Sequence, residues 1–222
     1  MLKKIAALLA LAAAPALADE ATHPLPAPAL DATAAASDSE TAVLAGGCFW
    51  GMQGVFQHVK GVKQVVSGYS GGGSNSASYG SVETGMTGHA ESVKITFDPH
   101  QVSYGRILQI YFSVMDPTTL DYQGPDSGSQ YRSEIFAAND AQKRTAEGYI
   151  AQLAKAHVFS APIVTRIGTL SGFYAAEGYH QDYLLHHPDQ PYIVINDLPK
   201  IAKLKRFYPD LYRDRPVTVA QR

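Results

Sequence analysis

The sequence lacks three features that mark common functional classes: it has one cysteine, no large excess of charge and no hydrophobic run long enough to span a membrane. A single cysteine excludes an internal disulfide and a zinc site built from several thiolates. A formal net charge of −2 on 222 residues disfavours a basic nucleic-acid binder. The eight histidines show no H-E-x-x-H spacing, so we expect no metal. Because 45% of the residues are hydrophobic, we expect one domain with a sizeable core.

The N-terminus has the pattern of an export signal. Lys3 and Lys4 precede ten apolar residues, and the tripeptide Ala-Leu-Ala at 16–18 matches the small-x-small pattern of a cleavage site. Ten residues fall short of the about 20 that cross a bilayer. We therefore predict a signal peptide over 1–18, a periplasmic location and no membrane attachment after cleavage. An uncleaved anchor helix is the alternative.

Composition divides the rest of the chain. Residues 19–40 are rich in Ala, Pro and Ser/Thr without helix or strand periodicity, which predicts a flexible linker. We expect a single domain over 41–212 and a C-terminal tail over 213–222. The basic stretch 200–206 has apolar residues at helical spacing, which favours a surface helix docked on the domain over a membrane or nucleic-acid contact.

Hydrophobic periodicity within the domain predicts alternating strands and helices. The predicted strands are 41–46, 61–68, 91–97, 133–138 and 163–167, and the predicted helices are 49–59, 103–115, 139–156 and 173–186. This order favours an α+β fold, with helices packed on a mixed, mostly antiparallel sheet. Two polar loops, 69–84 and 116–132, are long enough to be functional.

Cys48 lies between a predicted strand end and a predicted helix start, directly after Gly46 and Gly47. A helix N-terminus stabilises a thiolate, so we expect a lowered pKa for the Cys48 thiol and a reactive sulfur. A buried structural cysteine is the alternative. An exported protein usually pairs or loses its thiols, which favours the reactive interpretation.

Glu91 is the second chemical signal. It has the same strand parity as Val93, Ile95 and Phe97, so it extends the apolar face of its strand. Desolvation there should raise the pKa of the carboxyl and keep it protonated as a general acid. The alternative is an edge carboxylate that bends into solvent.

Four motifs in order resemble peptide methionine sulfoxide reductase A. They are Gly-Cys-Phe-Trp-Gly at 47–51, Gly-Tyr-Ser-Gly-Gly at 68–72, Gly-His-Ala-Glu at 88–91, and Gly-Pro-Asp-Ser-Gly-Ser-Gln-Tyr-Arg-Ser at 124–133. The segment 176–181, Ala-Glu-Gly-Tyr-His-Gln, resembles a later structural motif of the same family. The match runs from about residue 43 to about residue 196, and four motifs together are far more specific than any one.

The resemblance implies a two-layer α/β sandwich of ferredoxin-like type and the reduction of methionine-(S)-sulfoxide, free or in proteins. It implies that Cys48 is the nucleophile and becomes a sulfenic acid. Glu91 would be the general acid, and the hydroxyls of Tyr79 and Tyr131 would point at the sulfoxide oxygen.

The remaining roles also follow from the resemblance. Phe49 and Trp50 would form the aromatic walls that hold the substrate methyl group, and Asp126 would be an acidic member of the site that assists thiol turnover. The reaction requires no metal or organic cofactor. Repair of proteins under oxidative stress is the implied role, and we expect a monomer.

The sequence departs from many relatives because no second cysteine is present, and position 83 is Glu. Regeneration must then come from an outside thiol, either a small thiol or a thioredoxin-fold protein, which the export signal would place in the periplasm. A non-catalytic redox sensor that uses Cys48 remains the second hypothesis. A Cys–His hydrolase that uses His89 or His180 is disfavoured because no accompanying signature is found.

Overall fold

The computed structural model describes residues 20–31 and 37–219. Within these residues the strands are β1 (Glu40–Gly46), β2 (Val62–Ser70), β3 (Ala90–Phe97), β4 (Tyr122–Gln123), β5 (Asp126–Ser127), β6 (Ser133–Ala137), β7 (Arg166–Thr169) and β8 (Tyr174–Ala175). The helices are α1 (Phe49–Gln57), α2 (Tyr79–Val82), α3 (Tyr104–Val114), α4 (Asp140–Lys155), α5 (Tyr183–His186) and α6 (Leu198–Phe207). The predicted signal peptide lies outside the described residues.

Six strands form one sheet in the order β7-β6-β1-β3-β2-β8. Only the β6–β7 pair is parallel in this sheet, and the other neighbours are antiparallel. The central order β6-β1-β3-β2, with α1 and α3 as the crossovers, is the ferredoxin-like arrangement. The predicted α+β fold with a mixed, mostly antiparallel sheet is confirmed. Strands β4 and β5 form a separate small hairpin.

The core lies between one face of the sheet and the helices. In β3 the side chains of Val93, Ile95 and Phe97 are fully buried, whereas Lys94 and Thr96 are partly exposed. This alternation is the period of two expected for a strand that packs one face on a core. Helix α6 contacts both α1 and α3. Because β1 ends at Gly46 and α1 begins at Phe49, the start of α1 lies beside the end of a central strand.

The predicted helix over 173–186 is wrong. The chain there forms β8, a 3₁₀ turn at Gly178–His180 and the short helix α5. Asp182 adopts a left-handed φ of 55°, which a continuous α-helix does not allow. The side chain of Gln181 instead bonds to the backbone of Ser67 in β2. The strand predicted at 163–167 begins later, at Arg166.

The docked helix predicted from the basic stretch is confirmed as α6, because Leu204 and Phe207 are buried in the core. No helix among residues 20–31 and 37–219 is long and apolar enough to cross a bilayer.

The structure differs from the predicted flexible linker at residues 20–31, which lie along the domain. Leu25 is 3% exposed, and its N–H donates to the hydroxyl of Tyr208. The Tyr149 hydroxyl donates to the carbonyl of Pro26 at 2.8 Å. Asp31 accepts from the N–H of Gly105 at the start of α3. Prolines have no N–H and prevent this segment from forming a helix or a strand, so its carbonyls have no partners within the segment. Side chains of the domain can therefore donate hydrogen bonds to these carbonyls.

The segment assigned to a C-terminal tail also contacts the domain over 213–219. The N–H of Arg213 donates to the carbonyl of His58, and the N–H of Val217 donates to the carbonyl of Gln57. These bonds continue the packing of the domain past residue 212.

Candidate active site

Cys48 caps the N-terminus of α1, directly after β1. Gly47 before it has a φ of +87°, and a Cβ on this residue would lie 2.6 Å from the Cβ of Gln123. Glycine is therefore required for the turn that presents the cysteine. Cys48 is 7% exposed, and its side chain lines a cavity of about 130 Å³. This cavity is also lined by Phe49, Trp50, Tyr79, Glu91, Asp126, Tyr131 and Tyr192.

The expectation of a lowered thiol pKa is wrong. Burial raises the pKa of Cys48 well above its ordinary value, and the carboxyls of Glu91 and Asp197 raise it further. The N–H of Trp50 and the ammonium of Lys200 act in the opposite direction with smaller effect. The first N–H of the helix, that of Phe49, is bound to Glu91 and not to the sulfur. Desolvation therefore raises the pKa of the Cys48 thiol by more than the helix N-terminus lowers it.

Glu91 lies on the apolar face of β3, as its strand parity predicts. It is 4% exposed, and its Oε2 accepts the N–H of Phe49 at 3.0 Å. Burial is the main cause that raises the pKa of Glu91 to about 8. The predicted desolvated carboxyl is confirmed, and it holds a proton at neutral pH.

Tyr79 and Tyr131 come from the two long polar loops and line the same cavity. Burial raises the pKa of both phenols, so both hydroxyls are available as hydrogen-bond donors. Tyr79 begins α2, and its N–H donates to Oε1 of Glu177 at 2.9 Å. The other carboxylate oxygen of Glu177 accepts from the hydroxyl of Tyr69 in β2. Glu177 thus ties the first loop to the sheet.

The aromatic wall of the cavity is built around Trp50. Its ring stacks on Tyr183 with the ring centroids 3.8 Å apart, and Tyr192 meets it edge-on at 6.0 Å. The indole Nε1 donates to Nδ1 of His180 at 3.1 Å. Phe49 is buried, and its ring centroid lies 5.0 Å from that of the same histidine. The cavity therefore combines aromatic side chains with a set of proton donors.

Comparisons with known proteins point to one family. The model of the family described as peptide methionine sulfoxide reductase matches residues 40–210. The chain belongs to the peptide methionine sulfoxide reductase family. Its sequence is 62% identical to peptide methionine sulfoxide reductase MsrA 2 of Mesorhizobium japonicum, over 83% of this chain and 95% of that one. It is 45% identical to the MsrA 2 protein of Synechocystis sp., over 91% of this chain and 96% of that one.

Two solved structures agree with this assignment. Mxr1 from Saccharomyces cerevisiae in reduced form matches with a TM-score of 0.62 and 31% identity, covering 71% of this chain and 90% of Mxr1. Methionine sulfoxide reductase A of Corynebacterium diphtheriae matches with a TM-score of 0.60 and 32% identity, covering 77% of this chain and 87% of that one. The protein is an oxidoreductase of the MsrA type, which reduces methionine sulfoxide in protein repair.

Arg132 joins the loops of the reductase. Its guanidinium donates to the carbonyls of Gly88, His89 and Ser129, and it forms an ion pair with Glu134 at 2.7 Å. Arg132 directly follows Tyr131 in the chain, and its side chain joins the end of the second polar loop to the residues that precede β3. This clamp fixes the position of the second tyrosine relative to β3.

A second cavity of about 200 Å³ meets the first at Cys48. Cys48, Asp126 and Tyr192 line both cavities. The hydroxyl of Tyr192 donates to the Asp126 carboxylate, so two of the three shared lining residues are bound to each other. Burial raises the pKa of Asp126.

Sequence reasoning identified every side chain of the first cavity except Tyr192. It also missed the contacts of His180 and Tyr183 with Trp50, because Trp50 lies far away in the chain. The motif at 176–181 was the available signal for Glu177 and His180. Among residues 20–31 and 37–219, no group of three or more His, Cys, Asp or Glu side chains could hold a metal ion.

Proposed function

We propose that Cys48 is the nucleophile that reduces methionine-(S)-sulfoxide, free or in proteins, and that it becomes a sulfenic acid in the reaction. The observation that carries this proposal is the shared cavity. One thiol, one buried carboxyl and two phenols line it together with Phe49 and Trp50. No other thiol exists in the chain that could take this role.

The chemistry follows from the protonation states. The hydroxyls of Tyr79 and Tyr131 donate hydrogen bonds to the sulfoxide oxygen, and Glu91 transfers a proton to it, which makes the sulfur electrophilic. The sulfur of Cys48 attacks the sulfoxide sulfur, the S–O bond of the sulfoxide breaks, and the oxygen passes to the sulfur of Cys48. The sulfoxide is thereby reduced by two electrons to methionine, which leaves, and Cys48 is oxidised to the sulfenic acid. Burial keeps the Cys48 thiol protonated beforehand. The Glu91 carboxylate formed in the reaction is the base in this cavity that can accept the thiol proton.

Stereochemistry is set by three points of contact. The aromatic rings of Phe49 and Trp50 hold the methyl group and make favourable sulfur–aromatic contacts. The tyrosine hydroxyls hold the oxygen, and Cys48 approaches the sulfur. A chiral sulfoxide fits three fixed contacts in one configuration, which we assign as the S epimer.

Recycling requires an outside thiol because the chain has one cysteine. The first thiol attacks the sulfenic sulfur of Cys48, which forms a mixed disulfide and releases water. A second thiol then releases Cys48 as a thiol and leaves as a disulfide. A thioredoxin-fold protein or a small thiol supplies these electrons. Saturation with glutathione, together with no activity from any thioredoxin-fold protein, would exclude the protein donor.

The export pattern of residues 1–18 supports a periplasmic enzyme. Expression of the full chain in a bacterium, followed by intact mass measurement of the protein in the periplasmic extract, tests this. Retention of residues 1–18 on a cytoplasmic protein would overturn it.

The first experiment is a single turnover without reductant. Purified protein lacking residues 1–18 is mixed with excess Met-(S)-sulfoxide, and Cys48 is trapped with a sulfenic-acid probe and identified by mass spectrometry. We expect a burst of about one methionine per chain, and none from the Cys48→Ser variant. A burst with the R epimer would overturn the stereochemistry. No burst with either epimer, from a folded protein, would favour a non-catalytic sensor.

A further inference from the structure

Cys48 stands at the junction of two cavities that have different linings. The first holds the proton donors and the aromatic wall. The second is lined by the β4–β5 hairpin, by the segment 195–200 and by Glu20. The hydrogen-bonded pair Tyr192 and Asp126 lines both cavities. The sulfur can therefore be reached from two directions, and the proposed reduction of the sulfoxide uses one.

The sulfenic acid has a defined orientation if the proposed function holds. Its oxygen comes from the sulfoxide, so the hydroxyl lies in the first cavity beside Glu91 and the tyrosines. Displacement at a sulfur atom proceeds in line, with the incoming thiolate opposite the leaving group. The hydroxyl leaves as water toward the donors of the first cavity. The thiolate must then arrive from the other side of Cys48.

The second cavity has a cationic residue among its lining, which the first cavity lacks. Lys200 lines this cavity, its side chain is 15% exposed, and its ammonium is bound to the buried Asp197 at 3.1 Å. The two acidic residues that line this cavity both have partners: Glu20 is paired with Lys203, and Asp126 accepts a hydrogen bond from the hydroxyl of Tyr192. A cation held beside the path of an anion favours its approach. The first cavity has acidic groups and no cation among its lining residues.

We propose that the second cavity is the entry site for the reducing thiol, whose sulfur attacks the Cys48 sulfenic acid from the face opposite the substrate cavity. The ligand is a thiolate, carried by a small molecule or by a cysteine of a thioredoxin-fold protein. This inference rests on the proposed function of Cys48. It predicts that the two half-reactions can be slowed separately.

Ile195 offers a test, because it lines the second cavity and is 70% exposed. An aromatic side chain at this position can narrow the opening of the second cavity without disturbing the core. The Ile195→Phe variant is oxidised with Met-(S)-sulfoxide, and its sulfenic acid is then reduced by glutathione, dithiothreitol or thioredoxin in separate rapid-mixing experiments. We expect the thiol step to slow at least about tenfold more than the methionine burst.

Matched variants complete the test. Val194, its exposed neighbour, lines neither of these two cavities, so Val194→Phe should leave the ratio of the two rates unchanged. Ile195→Ala should widen the mouth and speed the thiol step. Slowing confined to one thiol would support the route for that class of reductant.

If Ile195→Phe slows the methionine burst and the thiol step equally, or slows neither, with every thiol, the second entry site is overturned. This conclusion requires that the unmodified enzyme still shows the burst. Loss of that burst would instead refute the proposed function, so the two failures are distinguishable.

Discussion

Replacing Glu91 with glutamine should stabilise the reductase while it removes the general acid. In the unfolded chain this carboxyl titrates near its ordinary pKa of 4.5, whereas burial in the fold raises its pKa to about 8. Between these values the folded state holds one more proton than the unfolded state. The stability of the unmodified protein therefore falls as the pH rises through this window and is constant above it.

The magnitude follows from the two pKa values. The buried carboxyl costs about 1 kcal/mol of stability at pH 5 and about 4 kcal/mol at pH 8, relative to a group that stays neutral. Glutamine is neutral at both values, and its Oε1 can still accept the N–H of Phe49. Urea unfolding at pH 5 and pH 8 should show that Glu91→Gln gains about 3 kcal/mol more at the higher pH.

The control is Glu83→Gln, which changes an exposed glutamate of the first polar loop, 69–84. Its effect on the free energy of unfolding should be small at both pH values. A gain for Glu91→Gln that is equal at pH 5 and pH 8, or a loss at pH 8, would refute the argument that Glu91 is a desolvated neutral acid. The methionine burst of the same variant reports the catalytic role separately.

Three further predictions follow from the site and its supports. Because Glu91 must be protonated to act as an acid, kcat/KM should fall about tenfold per pH unit above pH 8, and an unchanged rate at pH 9.5 would contradict this. His180 accepts the indole N–H of Trp50, the single tryptophan, so His180→Phe should shift the fluorescence emission of Trp50 and raise KM more than it lowers kcat. His180→Gln restores a hydrogen-bond acceptor at this position. Identical emission spectra for the unmodified protein and both variants would exclude a role of His180 in positioning Trp50. Leu25→Ala should cost about 2–4 kcal/mol in unfolding experiments, because it empties a buried contact of the N-terminal segment. The matched change at exposed Leu30 should have little effect, and equal losses would show that the segment does not pack on the domain.

Local pattern predicted the parts of the protein that depend on neighbours in the chain. The alternation in β3 was enough to bury Glu91, because a strand that packs one face on a core assigns each side chain by parity. The glycines before Cys48 predicted the sharp turn into α1 for the same local reason. The helical spacing around Leu204 and Phe207 predicted a docked helix, since an amphipathic face must be covered.

The tertiary structure decided what depends on residues distant in the chain. Burial among packed elements raises the pKa of Cys48, although its local position favours a thiolate. The region 173–186 folds to supply side chains to β2 and to Trp50, so its own helical periodicity did not prevail. The segment 20–31 is held by the side chains of Gln109 in α3 and Tyr149 in α4, contacts that no local pattern reveals. Periodicity reports which face a residue takes, whereas desolvation and partner choice arise only when distant segments pack together.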